Sequence, residues 1–255
     1  GRDSFYAMKR PPALSTLLML LILGFGLSSC TVSGQLALGS GSSAAADLDV
    51  QLSSEFATYL LDLSGVLGMV EEPISPFDLE ALAIAFDAEP GVRLVGGGIP
   101  DPSRLLIALD IEDIERAFTE GPTRLDGLVQ IEDDGQDRIM TVTLSRERIM
   151  ELATVTPVSE QSSIDFLLPP DGMSADDYVE YLAWAMEEYE TDTPIESVIR
   201  DARLTVQVTA PGQIISVTGG RLGGPTNGQY AEFSERVVTL LTTDRPTSWS
   251  VRYRR

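Results

Sequence analysis

Cys30, the aromatic series Tyr178, Tyr181 and Trp184, and the acidic run Glu132-Asp133-Asp134-Gly135-Gln136-Asp137 are the residues whose types and spacing could carry chemistry. What is missing limits them. The 255 residues include no histidine, and Cys30 is the sole cysteine. Neither a Ser-His-Asp triad nor an imidazole-bearing zinc site can be assembled. Lys9 is the sole lysine, so Schiff-base chemistry has no amine beyond it. Carboxylates, tyrosines, serines and arginines remain. A hydrolytic carboxylate pair must flank a cleft, and 39 acidic residues single out no such pair.

Each of the three groups also has a plainer reading. Tyr178, Tyr181, Leu182, Ala185 and Tyr189 fall on one face of a helix, with Trp184 off its centre. Such a stripe reads as core with hydroxyls at its rim, and a ligand-binding wall of Tyr178, Tyr181 and Trp184 is the sharper alternative. The acidic run lacks the ligand spacing of a calcium loop and reads as a solvated hairpin turn. A metal site is not expected, nor is a cofactor. Gly96-Gly97-Gly98 has no phosphate-loop lysine and no GxGxxG spacing, so it reads as a turn.

Charge narrows the partners. Of 18 Lys+Arg and 39 Asp+Glu, three and one precede Cys30, so the remainder carries 15 against 38, net −23. All 15 are arginines. That surface repels phosphate backbones, and nucleic-acid binding is not expected. A soluble acidic surface is the simple consequence; weak capture of cations is the alternative.

The elements that must position these residues mix helices with antiparallel hairpins, an α+β pattern with a mainly antiparallel sheet and helices packed on one face. Residues 31–46 read equally as a first strand or a Gly/Ser-rich tether, followed by a strand at Asp47 to Leu52. Helices are expected from Ser53 or Ser54 to about Val70, and from Pro76, as first helical residue, to Phe86. A short strand at Val92 to Val95 and a continuous, buried strand at Leu105 to Leu109 follow, then a short helix capped by Asp110 or Asp113. Asp134-Gly135 between two strand-forming runs marks a hairpin. Ser145 caps a helix to Ala153, and polar residues Thr156 to Ser163 offer an internal boundary near 157–163 before a strand at Ile164 to Leu168. Ser174 with Asp177 resembles a capping box for the helix to Tyr189. The last sixty residues read as a meander: Leu204 to Val208, a Pro211-Gly212 turn, a return over Gln213 to Thr218, a glycine-rich loop, Tyr230 to Val237, a helical turn and Ser248 to Arg254.

The start of the chain bears on location. Met8-Lys9-Arg10 precede an apolar run from Leu14 to Leu27, which ends in Leu27-Ser28-Ser29-Cys30. A basic start, a short apolar core and small residues before the cut form the layout of a secretory signal. The run's fourteen positions fall short of the roughly 20 apolar residues that span a bilayer. Residues 1–29 are therefore read as a signal peptide, with 1–7 a possible extension upstream of Met8. The Leu-Ser-Ser-Cys tetrad resembles the lipobox of bacterial lipoproteins. That resemblance implies cleavage between Ser29 and Cys30, a diacylglyceryl thioether on Cys30, and acylation, as by palmitate, of the new amino terminus. Residues 30–46 would then be the lipidated amino-terminal part and 47–255 an extracytoplasmic α+β domain. Thr31, in place of aspartate, leans toward the outer membrane where Gram-negative sorting applies. From Leu204 to Arg254, the strand–Pro-Gly–strand–Gly-loop–strand order ending in Trp249-Ser250-Val251 resembles the folded domain of LppM-type envelope lipoproteins, without transferring any site residue.

These readings point to a non-catalytic, lipid-anchored protein of the cell envelope. Its partners would be the membrane, through the acyl groups on Cys30, and a small or lipidic ligand or an envelope protein. A carboxylate-dependent glycan hydrolase and an adhesin or cation-binding surface module are the alternatives.

Overall fold

The computed structural model describes residues 30–66, 75–87, 89–119, 127–149, 168–225 and 228–255. The leader, the boundary at 157–163 and most of the strand expected at 164–168 lie outside them. Among the described residues no helix is long and apolar enough to cross a membrane.

Alternating apolar residues build the strands β1 (Cys30–Leu38), β2 (Ala44–Leu52), β3 (Val92–Asp101) and β4 (Arg104–Ile111). Next come β5 (Val129–Asp134), β6 (Asp137–Leu144), β7 (Arg203–Thr209) and β8 (Ile214–Thr218). The last are β9 (Arg221–Gly223), β10 (Tyr230–Arg236) and β11 (Thr247–Arg254). They form a seven-stranded sheet in the order β3-β4-β2-β1-β7-β10-β9 and a four-stranded sheet in the order β5-β6-β11-β8. Pairing is antiparallel throughout except between β1 and β7, which run parallel from Thr31↔Arg203 to Ala37↔Thr209. The fold is α+β and mainly antiparallel. Residues 31–38 take the strand alternative, flanked on both sides.

One face of the larger sheet is apolar. Val32, Val50, Leu105, Ile107, Leu204, Val208 and Phe233 are all buried there. The smaller sheet contributes Met140, Trp249, Val251 and Tyr253 to the same core. Phe233 of β10 stacks on Trp249 of β11 at 5.4 Å between ring centres and 12° between planes, joining the two sheets.

Helices complete the core: α1 (Ser54–Val66), α2 (Leu79–Asp87), α3 (Ile114–Thr119), a turn at 146–149, α4 (Ala175–Ala185), α5 (Ile195–Asp201) and α6 (Val237–Thr242). Their starts are chemical. Ser53 Oγ accepts from Phe56 N–H, Asp113 from Arg116 N–H, and Ser145 from Arg148 N–H. Ser174 Oγ accepts from Asp177 N–H at 3.2 Å and donates to the Asp177 carboxylate at 2.6 Å. Each satisfies one of the amide donors a helix start leaves open.

Four expectations are corrected. Helix α2 begins after Asp78, whose carboxylate accepts from Ala81 N–H at 2.9 Å, so Pro76 lies ahead of the helix. Gly96-Gly97-Gly98 is no turn: β3 runs through it, in register with Ala108, Ile107 and Leu106 of β4. Strand β4 alternates instead of being buried on both faces, and Leu106 is exposed. Pro211-Gly212 does not close a hairpin, because β7 belongs to the larger sheet and β8 pairs with β11 in the smaller one. Helix α5 has too few residues to show a clear helical period.

Candidate functional site: the outer face of the large sheet

The second face of the seven-stranded sheet is open among the described residues, and its side chains follow from pairing register. Residues directly opposite each other point to the same side. One row reads Arg236, Arg203, Thr31, Gln51, Arg104. The next reads Ser234, Thr205, Ser33, Asp49, Leu106, Gly98, and a third Arg221, Glu232, Gln207, Gln35, Asp47, Ala108, Gly96. The face is polar, with its small side chains gathered in the second row and beside Gly96. Sequence alternation at 31, 33, 35 and at 47, 49, 51 holds this pattern, although neither run by itself reveals that the two lie side by side.

A groove of about 500 Å³ crosses it, with Ser33, Gln35, Asp47 and Asp49 on one side and Gly96 to Gly98, Leu106 and Ala108 on the other. The glycines make the room. A Cβ at Gly98 would meet nothing within 4 Å, whereas one at Gly97 would run into Leu79 of α2 at 2.9 Å. Gly97 thus seats α2 against the inner face, while Gly96 and Gly98 leave the outer face hollow. Arg104 grips Asp49 with two hydrogen bonds of 2.9 and 2.7 Å, which pushes its own pKa up. Asp47 has no ion pair among the described residues and remains free for a ligand's donors. Hydroxyl, amide and carboxylate groups beside the short apolar strip of Leu106 and Ala108 suit a polar ligand with a small apolar face. The groove is open to solvent and holds no buried acid–base pair.

The aromatic residues singled out from sequence all lie on α4 and differ in exposure. Tyr178 is fully buried, Tyr181 is half-buried, and Trp184 is 72 % exposed. They share no depression with the groove. Tyr59 and Tyr189 form the joint between α1 and the segment after α4. Tyr59 meets Tyr189 edge-on at 5.5 Å, and the Tyr189 hydroxyl donates to Asp62 at 3.0 Å. Burial, and then that bond to a carboxylate, pushes the Tyr189 phenol up to about 12.

The acidic run is not merely solvated. Asp133 pairs with Arg138 at 2.8 Å and with Arg255, and these two guanidinium groups hold its carboxyl below the usual range, Arg255 more strongly. Arg252 bridges Asp134 at 2.8 Å and Asp137 at 2.9 Å. Arginines of β11 and the chain end reach over the turn because β11 pairs with β6 out to Arg254↔Asp137. Among the described residues no group of three or more carboxylates or cysteines is placed to hold a metal ion. Cys30 begins β1, opposite Leu52.

No protein-family model matches the chain. No curated protein matches it either. Among solved structures it is similar to the NMR structure of the folded domain of LppM from Mycobacterium tuberculosis, with a TM-score of 0.40 and 9 % identity over 100 % of this chain and 95 % of that one. At that TM-score the likeness assigns no function.

Proposed function

We propose that this is a non-catalytic protein of the cell envelope, anchored by acyl groups on Cys30, which binds a polar ligand or partner segment in the groove of its outer sheet face. The observation that carries the binding half is the glycine-hollowed groove, with Asp47, which has no ion pair among the described residues, beside Ser33 and Gln35. The anchoring half rests on the signal layout ahead of Cys30. Two chains on one residue hold a protein stably where one holds it marginally, at about 0.8 kcal/mol per buried methylene.

Two measurements test it. Cys30→Ser should move the protein from the membrane fraction to the soluble one, and a mass spectrum of the mature amino terminus should carry acyl mass. A variant that stays membrane-bound refutes the anchor. Gly98→Phe, at a position where an added Cβ meets nothing within 4 Å and the ring would enter the groove, should leave folding intact. It should also abolish any ligand seen by native mass spectrometry of the protein purified from its host. Ligand retained at full occupancy in that variant refutes the groove.

A further inference from the structure

We propose that Arg203 and Arg236 form a site for the headgroup phosphate of an anionic membrane phospholipid, one whose phosphate charge is not offset by a choline, at the end of the large sheet where Cys30 enters it. The inference rests on the anchoring reading of Cys30 and extends it to the protein surface that meets the membrane.

Register supplies the first argument. Arg203 stands opposite both Thr31 and Arg236, so both arginines lie in the row of the residue next to Cys30. With strands about 4.8 Å apart, they start about 5 and 10 Å to one side of it. A thioether-linked diacylglycerol holds its glycerol at the headgroup level of the leaflet, and the row beginning beside it lies at phosphate depth.

Charge supplies the second. Like charges directly opposite each other weaken a sheet, and after Cys30 the chain has 38 acidic residues with which to separate 15 arginines. Arg104 in the same row is taken by Asp49, and Arg221 nearby by Glu232. Arg203 and Arg236 are exposed and have no ion pair among the described residues. Glu235 alternates to the other face, opposite Leu204, where its carboxylate accepts from the Arg236 backbone N–H at 3.2 Å and not from its guanidinium, and Asp201 ends α5 two residues before Arg203. A bound anion would relieve this pair.

Shape supplies the third. A depression of about 350 Å³ opens on Arg203, lined also by Ser234, Gly219, Gly220 and the Arg221–Glu232 pair. Because Glu232 is matched by Arg221, the charge left facing the depression is positive, with a serine hydroxyl to donate beside it. The rest of the acidic surface repels an anionic leaflet, so this patch would fix which end of the domain faces it.

The test uses the acylated protein in lipid nanodiscs, with phenylglyoxal labelling of arginines read by mass spectrometry. Arg93, 72 % exposed on its side chain and paired at the opposite end of the sheet, is the internal control. One guanidinium near an anionic surface contributes about fivefold. Labelling of Arg203 and Arg236 should therefore slow by about fivefold in discs of phosphatidylcholine with phosphatidylglycerol, relative to phosphatidylcholine alone, while Arg93 is unchanged. Arg203→Gln should weaken the protection of Arg236. Equal labelling in both discs on a protein whose Cys30 peptide carries acyl mass overturns this inference alone. Protection by inorganic phosphate that the anionic lipid does not match overturns the headgroup as its source. A Cys30 peptide without acyl mass overturns the anchoring reading and this one with it.

Discussion

Truncating Phe233 tests whether the two sheets share one core. Its ring is 2 % exposed and lies flat on Trp249, which is 5 % exposed and belongs to the other sheet. Gly220 presses on the same ring, since a Cβ there would come within 2.5 Å of it. A site closed by backbone on one side and by an indole on the other has little freedom to collapse. Phe233→Ala should therefore fall at about 4 kcal/mol, inside the range of about 3–5 kcal/mol for buried phenylalanines. With a urea slope of about 3 kcal/mol/M, that lowers the unfolding midpoint by about 1.3 M. Fluorescence reports the change well, because the chain's other tryptophan, Trp184, is already 72 % exposed. A double-mutant cycle with Phe233→Leu and Trp249→Leu should return a coupling of about 0.5–1.5 kcal/mol for the stacked pair. A midpoint lowered by less than about 0.3 M, or independent unfolding of the two sheets, would refute a common core.

Three further outcomes follow from local geometry. Gly97→Ala, whose new Cβ would press on the Leu79 Cδ1 methyl at 2.9 Å and make that half-buried side chain turn aside, should destabilise by about 1 kcal/mol, the low end of overpacking. Gly98→Ala should be neutral or slightly stabilising when the two variants are compared by thermal melts. Ser174→Ala should cost about 1 kcal/mol by removing the acceptor for Asp177 N–H, read as a lower urea midpoint. The Tyr189 phenol has its folded pKa raised to about 12 against an ordinary value of 10. Its contribution to stability is therefore complete below pH 10 and lost as the pH rises through about 12. In a phenolate titration at about 295 nm, Tyr189→Phe should remove a step near about 12; loss of an ordinary step near 10 would contradict the geometry.

Local chemistry was legible where the signal was local. Ser174 with Asp177, Ser145, Asp113 and the Asp134-Gly135 turn each act within a few residues, and each is found where its side chain can reach a nearby amide or where glycine relieves a positive φ. Pairing at long range was not legible. Nothing in Leu204 to Thr218 tells a hairpin from two strands that enter different sheets, because Pro211-Gly212 suits either path. Gly96 to Gly98 misled for a related reason. Glycine's usual place is a turn, yet here Gly97 admits Leu79 and its neighbours hollow a strand, a demand set by α2 and by the face beyond it. The groove needed β1 beside β2 and β4, and the acidic turn's partners came from the far end of the chain, Arg252 and Arg255. Tyr178 was legible as core. Trp184, off the centre of the stripe in sequence, faces solvent.

The parallel contact of β1 with β7 also sets an order of events. Ribosomes release a polypeptide from its amino terminus, and Thr31 meets Arg203 only after the intervening chain has appeared. Until then the first hairpin exposes an unsatisfied edge on the side that will become the middle of the sheet, the sort of edge that attracts foreign strands. Maturation should therefore be slow at its last step and sensitive to truncation beyond residue 200.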